Sequence, residues 1–316
     1  MQKISLAIHG GAGTILKTDM TPELEKAYLQ GLQDALAAGY AVLQKGGSAA
    51  NAVKAAVVVL EDNILFNAGR GAVFTKTGMH EMDAAIMDGK DLAAGAVAGV
   101  QNIRNPITLA VEVMRNSDHV FLSSTGANEF AVKQGIQLEP DEFFFSQFRY
   151  DQWKQMRDSD NYSLDHSQQP AQKIIKDKKF GTVGAVACDI NGNIAAATST
   201  GGMTNKKYGR IGDTPIIGAG TYANNKTCAI SCTGHGEPFI KAVAAYDVSC
   251  LMEYKGMSLQ QAMNEVVNNK LPKIDGEGGM IGVDAAGNIS MLFNSAGMYR
   301  GATSSDGLSI IRIYGD

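Results

Sequence analysis

Two matching hairpins limit what this chain can fold into. Thr182–Cys188 and Ile194–Thr198 are apolar runs flanking Asp189-Ile190-Asn191-Gly192-Asn193, a loop with an Asn-Gly turn signal. Met280–Val283 and Ile289–Phe293 flank Asp284-Ala285-Ala286-Gly287-Asn288 in the same way, at a spacing of 95 residues. Asp189, Gly192, Asn193 and Ile194 align with Asp284, Gly287, Asn288 and Ile289, and Gly202-Met203 aligns with Gly297-Met298. Hairpins are antiparallel by construction, whereas parallel strands need long crossovers. The helical patterns lie early and late in each half, with runs of hairpin strands between. The pattern predicts stacked, mainly antiparallel sheets covered by helices, rather than a βαβ parallel sheet.

The helices follow from local signals. Thr21, Pro22, Glu23 and Glu25 open a helix over 22–44 that Gly46-Gly47 ends, and Ser48 caps a second over 49–61. Further helices are expected at about 105–116, 126–134, 237–253 and 258–268, with a first strand at Ile4–Ile8 and another at His119–Ser123. The Gly-rich segment His9–Gly13 reads as a tight turn or a close backbone approach. It lacks the endings of both phosphate-binding glycine motifs. Residues 152–179 are polar and read as a linker or mobile tail.

Net charge of −4 speaks against nucleic acid or an anionic membrane as partner, and no apolar run approaches a membrane span. The first strand is too short an apolar stretch for a signal peptide, so a cytoplasmic protein is expected. Four scattered cysteines and five histidines show no metal-ligand spacing, which favours buried reduced thiols.

The chemistry concentrates after the linker. Gly181-Thr182-Val183-Gly184 opens a strand, and threonine there can be simple strand packing. A cut between Gly181 and Thr182 would instead give the threonine hydroxyl its own α-amino base. Thr200, at the end of the hairpin's second strand, is either part of a plain turn or a hydroxyl brought beside Thr182. Arg210 and Asp213 are either an internal ion pair or a clamp for the carboxylate and ammonium of an amino acid head group. Ser231–Glu237 is either a capping turn or a set of donors for an oxyanion. His235 has no G-x-S-x-G elbow with it.

Together, residues 4–13, 60–71, 181–203, 209–223 and 230–239 resemble the plant-type L-asparaginase and isoaspartyl peptidase family of N-terminal nucleophile hydrolases. The resemblance covers nearly the whole chain and is closest to bacterial isoaspartyl dipeptidases. It implies an α+β fold, a four-layer αββα sandwich. It implies self-cleavage into an α subunit, 1–181, and a β subunit, 182–316, forming one structural domain and assembled as (αβ)2. Thr182 would be the nucleophile and Thr200 its hydrogen-bonding partner. Arg210 would hold the substrate α-carboxylate and Asp213 its ammonium, helped by the Gly236 backbone, with Thr233 and Gly234 as the oxyanion hole. L-Asparagine and β-aspartyl dipeptides would be the substrates, without a catalytic cofactor. Backbone oxygens of Leu60, Glu61, Asn63, Phe66, Ala68 and Arg70 would hold a structural sodium ion; Ile64 stands where many relatives have proline. A glycosylasparaginase-like amidohydrolase shares this apparatus. A non-catalytic α/β small-molecule-binding protein would instead stay uncut and bind without turnover.

Overall fold

The computed structural model describes residues 2–15, 17–158 and 181–315. Its centre is an eight-stranded sheet in the order β12-β11-β1-β5-β6-β2-β3-β4. The part of the chain before position 182 supplies β1 (Ser5–Gly13), β2 (Met82–Asp88), β3 (Ala94–Val100) and β4 (Phe121–Ser123). The rest come from β5 (Thr182–Cys188), β6 (Ile194–Thr200), β11 (Gly297–Ser304) and β12 (Ser309–Tyr314). A second sheet, in the order β10-β9-β8-β7, holds β7 (Thr221–Ala223), β8 (Cys228–Gly234), β9 (Gly278–Asp284) and β10 (Ile289–Phe293). All neighbours are antiparallel except β3 and β4.

The layers follow from strand alternation. Val183, Ala185 and Ala187 of β5 enter the core under the long helices α1 (Pro22–Gln44) and α2 (Ala49–Asp62). Val186 and Cys188 point the other way, into the core shared with the second sheet. Buried on both faces, β5 reads as a continuous run of small and apolar residues. Shorter helices α3 (Pro106–Asn116) and α4 (Ser124–Lys133) complete the first helical layer, and α7 (Gly236–Ala242), α8 (Ala244–Lys255) and α9 (Leu259–Asn264) form the second. The result is the expected αββα arrangement. No helix among the described residues is long and apolar enough to cross a membrane.

Local caps set the long helices as expected: Thr21 accepts from the Leu24 N–H and Ser48 from the Asn51 N–H. Both hairpin loops use one device, in which Asp189 Oδ1 accepts from the N–H groups of 191 and 193, and Asp284 Oδ1 from those of 286 and 288. All four cysteines are free thiols.

Three expectations are corrected. The segment His9–Gly13 is no turn but the second half of β1, with a bulge between His9 and Gly11. It remains a close approach, since a Cβ on Gly10 would lie 2.4 Å from the Phe66 ring. The single helix expected over 237–253 is two, broken at Val243 in the left-handed region (φ 49°). There the N–H groups of Ala245 and Tyr246 turn to the carbonyls of Ala219 and Gly218. Residues 152–156 belong to helix α6 (Gln147–Met156), which follows the one-turn helix α5 (Asp141–Phe144); Trp153 stacks on Phe74 at 5.7 Å. Residues 157 and 158 form a turn after α6, and the remainder of the expected linker, 159–179, lies outside the described residues.

Candidate active site

The β5–β6 hairpin sets Thr182 directly opposite Thr200. Thr182 Oγ1 is 3.3 Å from Thr200 Oγ1, and Thr200 Oγ1 is 3.2 Å from the carbonyl oxygen of Gly181. The Gly202 N–H donates to Thr200 Oγ1 at 3.0 Å. Both threonines are almost wholly buried. Gly181 is held against Asn67, where a Cβ would stand 2.3 Å from that of Asn67. This is a close approach that only glycine permits.

Asn67 acts as the brace of this corner. Its backbone carbonyl accepts from Gly201 N–H at 2.9 Å, its Nδ2 donates to Gly202 O at 2.7 Å, and its Oδ1 accepts from Val73 N–H at 3.0 Å. Nothing in the local sequence marks it for this task. The segment that carries it, formed by the end of α2 and the turns after it, contains Leu60, Glu61, Asn63, Phe66, Ala68 and Arg70.

Thr182 opens into a pocket lined also by Gly202, Arg210, Asp213, Thr214 and Gly234. Thr233 sits beside Gly234 at the end of β8, and its Oγ1 accepts from the Ala12 N–H at 3.2 Å. With that lone pair engaged, its proton is available to another acceptor.

Arg210 and Asp213 share the pocket but do not pair as an internal ion pair. Arg210 forks onto Glu237 instead, with Nε to Oε1 and Nη2 to Oε2 both at 2.9 Å. His235 Nε2 is 3.0 Å from the same Oε2. Burial tends to raise the Glu237 carboxyl, but hydrogen bonds from His235 and Arg210 outweigh it and hold the group well below the usual carboxylate range. One edge of the guanidinium is thereby committed, and the Nη1–Nη2 edge remains for a second carboxylate. Asp213 is buried, and its Oδ2 has no hydrogen-bond partner among the described residues. Burial pushes its carboxyl up to about 7, against the pull of Arg210. A buried acceptor without a donor is costly, so this atom invites a cationic donor from a ligand. Gly236 closes the cluster: a Cβ there would stand 2.9 Å from Asp213 N and 3.0 Å from Arg210 Nη2.

Every residue expected at the nucleophile, oxyanion and head-group positions therefore falls in one region. The sequence reading missed Asn67 and Glu237, and also His9, whose ring lies behind Thr182. No group of three or more His, Cys, Asp or Glu side chains among the described residues could hold a metal.

The chain matches the Asparaginase_2 family model, described as asparaginase, over residues 1–313. It is 51% identical over 300 residues to a Salmonella typhimurium protein named isoaspartyl peptidase, covering 95% of each chain. An Escherichia coli isoaspartyl peptidase is 49% identical over 95% of this chain and 92% of its own. A human isoaspartyl peptidase/L-asparaginase is 41% identical over 94% and 92%.

Proposed function

Because the chain belongs to the asparaginase family that this model defines, we propose that it is a self-processing threonine hydrolase acting on β-aspartyl dipeptides and L-asparagine. The observation that carries the reading is the trio of Thr182 Oγ1, Thr200 Oγ1 and the Gly181 carbonyl, within 3.3 Å steps at the floor of the pocket.

Maturation begins when Thr182 Oγ1 attacks the Gly181 carbonyl carbon. The peptide bond to Thr182 N breaks and an ester replaces it. Water opens the ester, leaving the Gly181 carboxylate and a free Thr182 amine. That amine then serves as the base for the same hydroxyl. In turnover the hydroxyl attacks the β-carbonyl of the substrate, and ammonia or an amino acid leaves with the proton. Water releases aspartate from the acyl-enzyme. Thr233 and Gly234 face the developing oxyanion. The free edge of Arg210 takes the α-carboxylate, while Asp213 takes the α-ammonium. Thr200 orients the nucleophile.

A structural sodium ion on the backbone oxygens of Leu60, Glu61, Asn63, Phe66, Ala68 and Arg70 belongs to the same reading. In that segment a Cβ on Gly69 would stand 2.6 Å from Glu61 O, and one on Gly71 would stand 2.0 Å from Phe66 O. Two of the six carbonyls, of Glu61 and Phe66, thus lie against glycines, and carbonyl oxygen is the donor type that hard cations take. The ion would stiffen the segment that carries Asn67. The working form in this reading is a cytoplasmic (αβ)2 assembly of subunits 1–181 and 182–316, supported by the family resemblance.

The test is intact-mass analysis of the purified chain beside ammonia release from L-asparagine and aspartate release from a β-aspartyl dipeptide. The expected products are fragments 1–181 and 182–316, with both cutting and hydrolysis abolished in Thr182→Ala. An uncut active chain, or an active alanine variant, overturns the assignment.

A further inference from the structure

The backbone ladder between β1 and β5 runs from Ser5–Cys188 to His9–Gly184 and stops there, two residues short of Thr182. At that point a side chain continues the pattern. His9 Nδ1 is 2.9 Å from the Thr182 carbonyl oxygen, and His9 Nε2 is 2.8 Å from Ser231 Oγ. Beyond Ser231 the contacts run on to Thr198 Oγ1 at 2.7 Å and then to Thr221 Oγ1 at 2.7 Å. His9, Thr198, Thr221 and Ser231 are completely buried. Gly184 makes room for them, since a Cβ there would lie 2.0 Å from Ser231 Oγ and 2.4 Å from His9 Nε2.

The proton positions in this chain are determined by elimination. A carbonyl oxygen only accepts, so Nδ1 carries the hydrogen. The ring is neutral, because burial holds it down to about 3 despite the bond to Thr182. Nε2 is therefore bare and must accept from Ser231. Ser231, its proton spent, accepts from Thr198 in preference to the longer contact of Thr198 with Gly220 O at 3.4 Å, and Thr198 accepts from Thr221, whose Oγ1 also lies 3.0 Å from Thr214 O. In this order each group donates to the next one nearer Thr182.

We propose that His9 is a positioning residue for the nucleophile: its Nδ1–H holds the Thr182 carbonyl, and the hydroxyls of Ser231, Thr198 and Thr221 lock the ring in the tautomer that can do so. The inference rests on Thr182 being the nucleophile. Cutting removes the peptide bond that tethers Thr182 on its upstream side. The placement of its Cα, and so of the amine and hydroxyl that the Cα carries, then rests on the strand that follows and on what grips its carbonyl, which His9 does.

The test compares His9→Leu, His9→Asn and Ser231→Ala in the full chain. Asn carries Nδ2 one bond from Cγ, where His carries Nδ1, so it can still donate to Thr182. Loss of one such bond lowers the self-cleavage rate and the kcat of the cut enzyme by about tenfold in His9→Leu, with KM changed by less than about twofold. His9→Asn recovers most of the loss. Ser231→Ala, which keeps the imidazole, lowers kcat by about threefold or more. Nitrogen-15 spectra of the parent, with the His9 signal identified by its absence in His9→Asn, show the Nδ1–H form, and Ser231→Ala shows a mixture of tautomers. An Nε2–H form in the parent, an asparagine no better than leucine, or a loss confined to KM overturns the proposal. Should the leucine variant fail to fold, Ser231→Ala and the spectra decide alone. Thr182→Ala run alongside separates the two readings. If it is inactive while His9→Leu is unimpaired, only the role of His9 falls. If it is active, the nucleophile assignment falls first.

Discussion

In the proposed head-group clamp, Asp213 ties the pH dependence of substrate binding to a carboxyl group. Its pKa stands near about 7 because burial outweighs the attraction of Arg210. A protonated Asp213 is neutral and has lost the charge that pairs with a substrate ammonium. The sign follows directly: KM for a β-aspartyl dipeptide rises as pH falls through about 7. Asp213→Asn should show a high KM at every pH and no such limb. Steady-state kinetics between pH 5 and about 9 check this, working over the range in which the group titrates. A parental KM that is flat across the range would mean that Asp213 does not carry the ammonium. The order Thr182, Thr200, Arg210, Asp213 was legible in the sequence because these residues lie within two neighbouring stretches. Glu237, Asn67 and His9 were not. Asn67 meets Gly202 across 135 residues of chain, and His9 meets Thr182 across 173. Separations of that length leave no mark in a local pattern. The commitment of one Arg210 edge to Glu237 is likewise a fact of folding alone.

At the scale of elements, the packing of α1 on α2 and β1 turns on Gly39. Glycine inside a helix costs about 1 kcal/mol relative to alanine. By propensity alone Gly39→Ala should stabilise the protein. The added methyl would stand 2.8 Å from Leu6 Cδ2, 2.9 Å from the Ala52 carbonyl oxygen and 3.0 Å from Ala56 Cβ. The Ala52 oxygen belongs to helix backbone and cannot move aside. Overpacking of this kind costs about 1–3 kcal/mol and exceeds the propensity gain. Gly39→Ala is therefore expected to lower stability by up to about 2 kcal/mol in denaturant unfolding; an increase would show that the helices can separate freely. The contrast between readable and unreadable elements has the same origin. Thr21 and Ser48 cap their helices with their own side chains, so both starts stand in the sequence. The break at Val243 depends on carbonyls of Gly218 and Ala219, and the extension of β1 through Gly13 depends on β11. In each of these the deciding partner lies far along the chain.

Across the whole molecule, the two fragments made by a cut at Thr182 are woven together. β1 belongs to the first fragment yet lies between β5 and β11 of the second, and β2 pairs with β6. The fragments cannot part without breaking the central sheet. Cut protein should therefore run as one species in native chromatography and resolve into 1–181 and 182–316 only in denaturant. Fragments that drift apart under native conditions would contradict this weave. The insertion of β1 has a further consequence for how such an enzyme ages. A single chain threads β1 into place while β5 is still its own downstream segment. The cut erases that connection, so two separated pieces would have to find the slot by collision, with edges exposed. A protein cut in this way would be like a lock assembled before its last screw is sheared off. Its working life would be set by how slowly it opens, and a heated sample is expected to lose activity for good rather than recover on cooling.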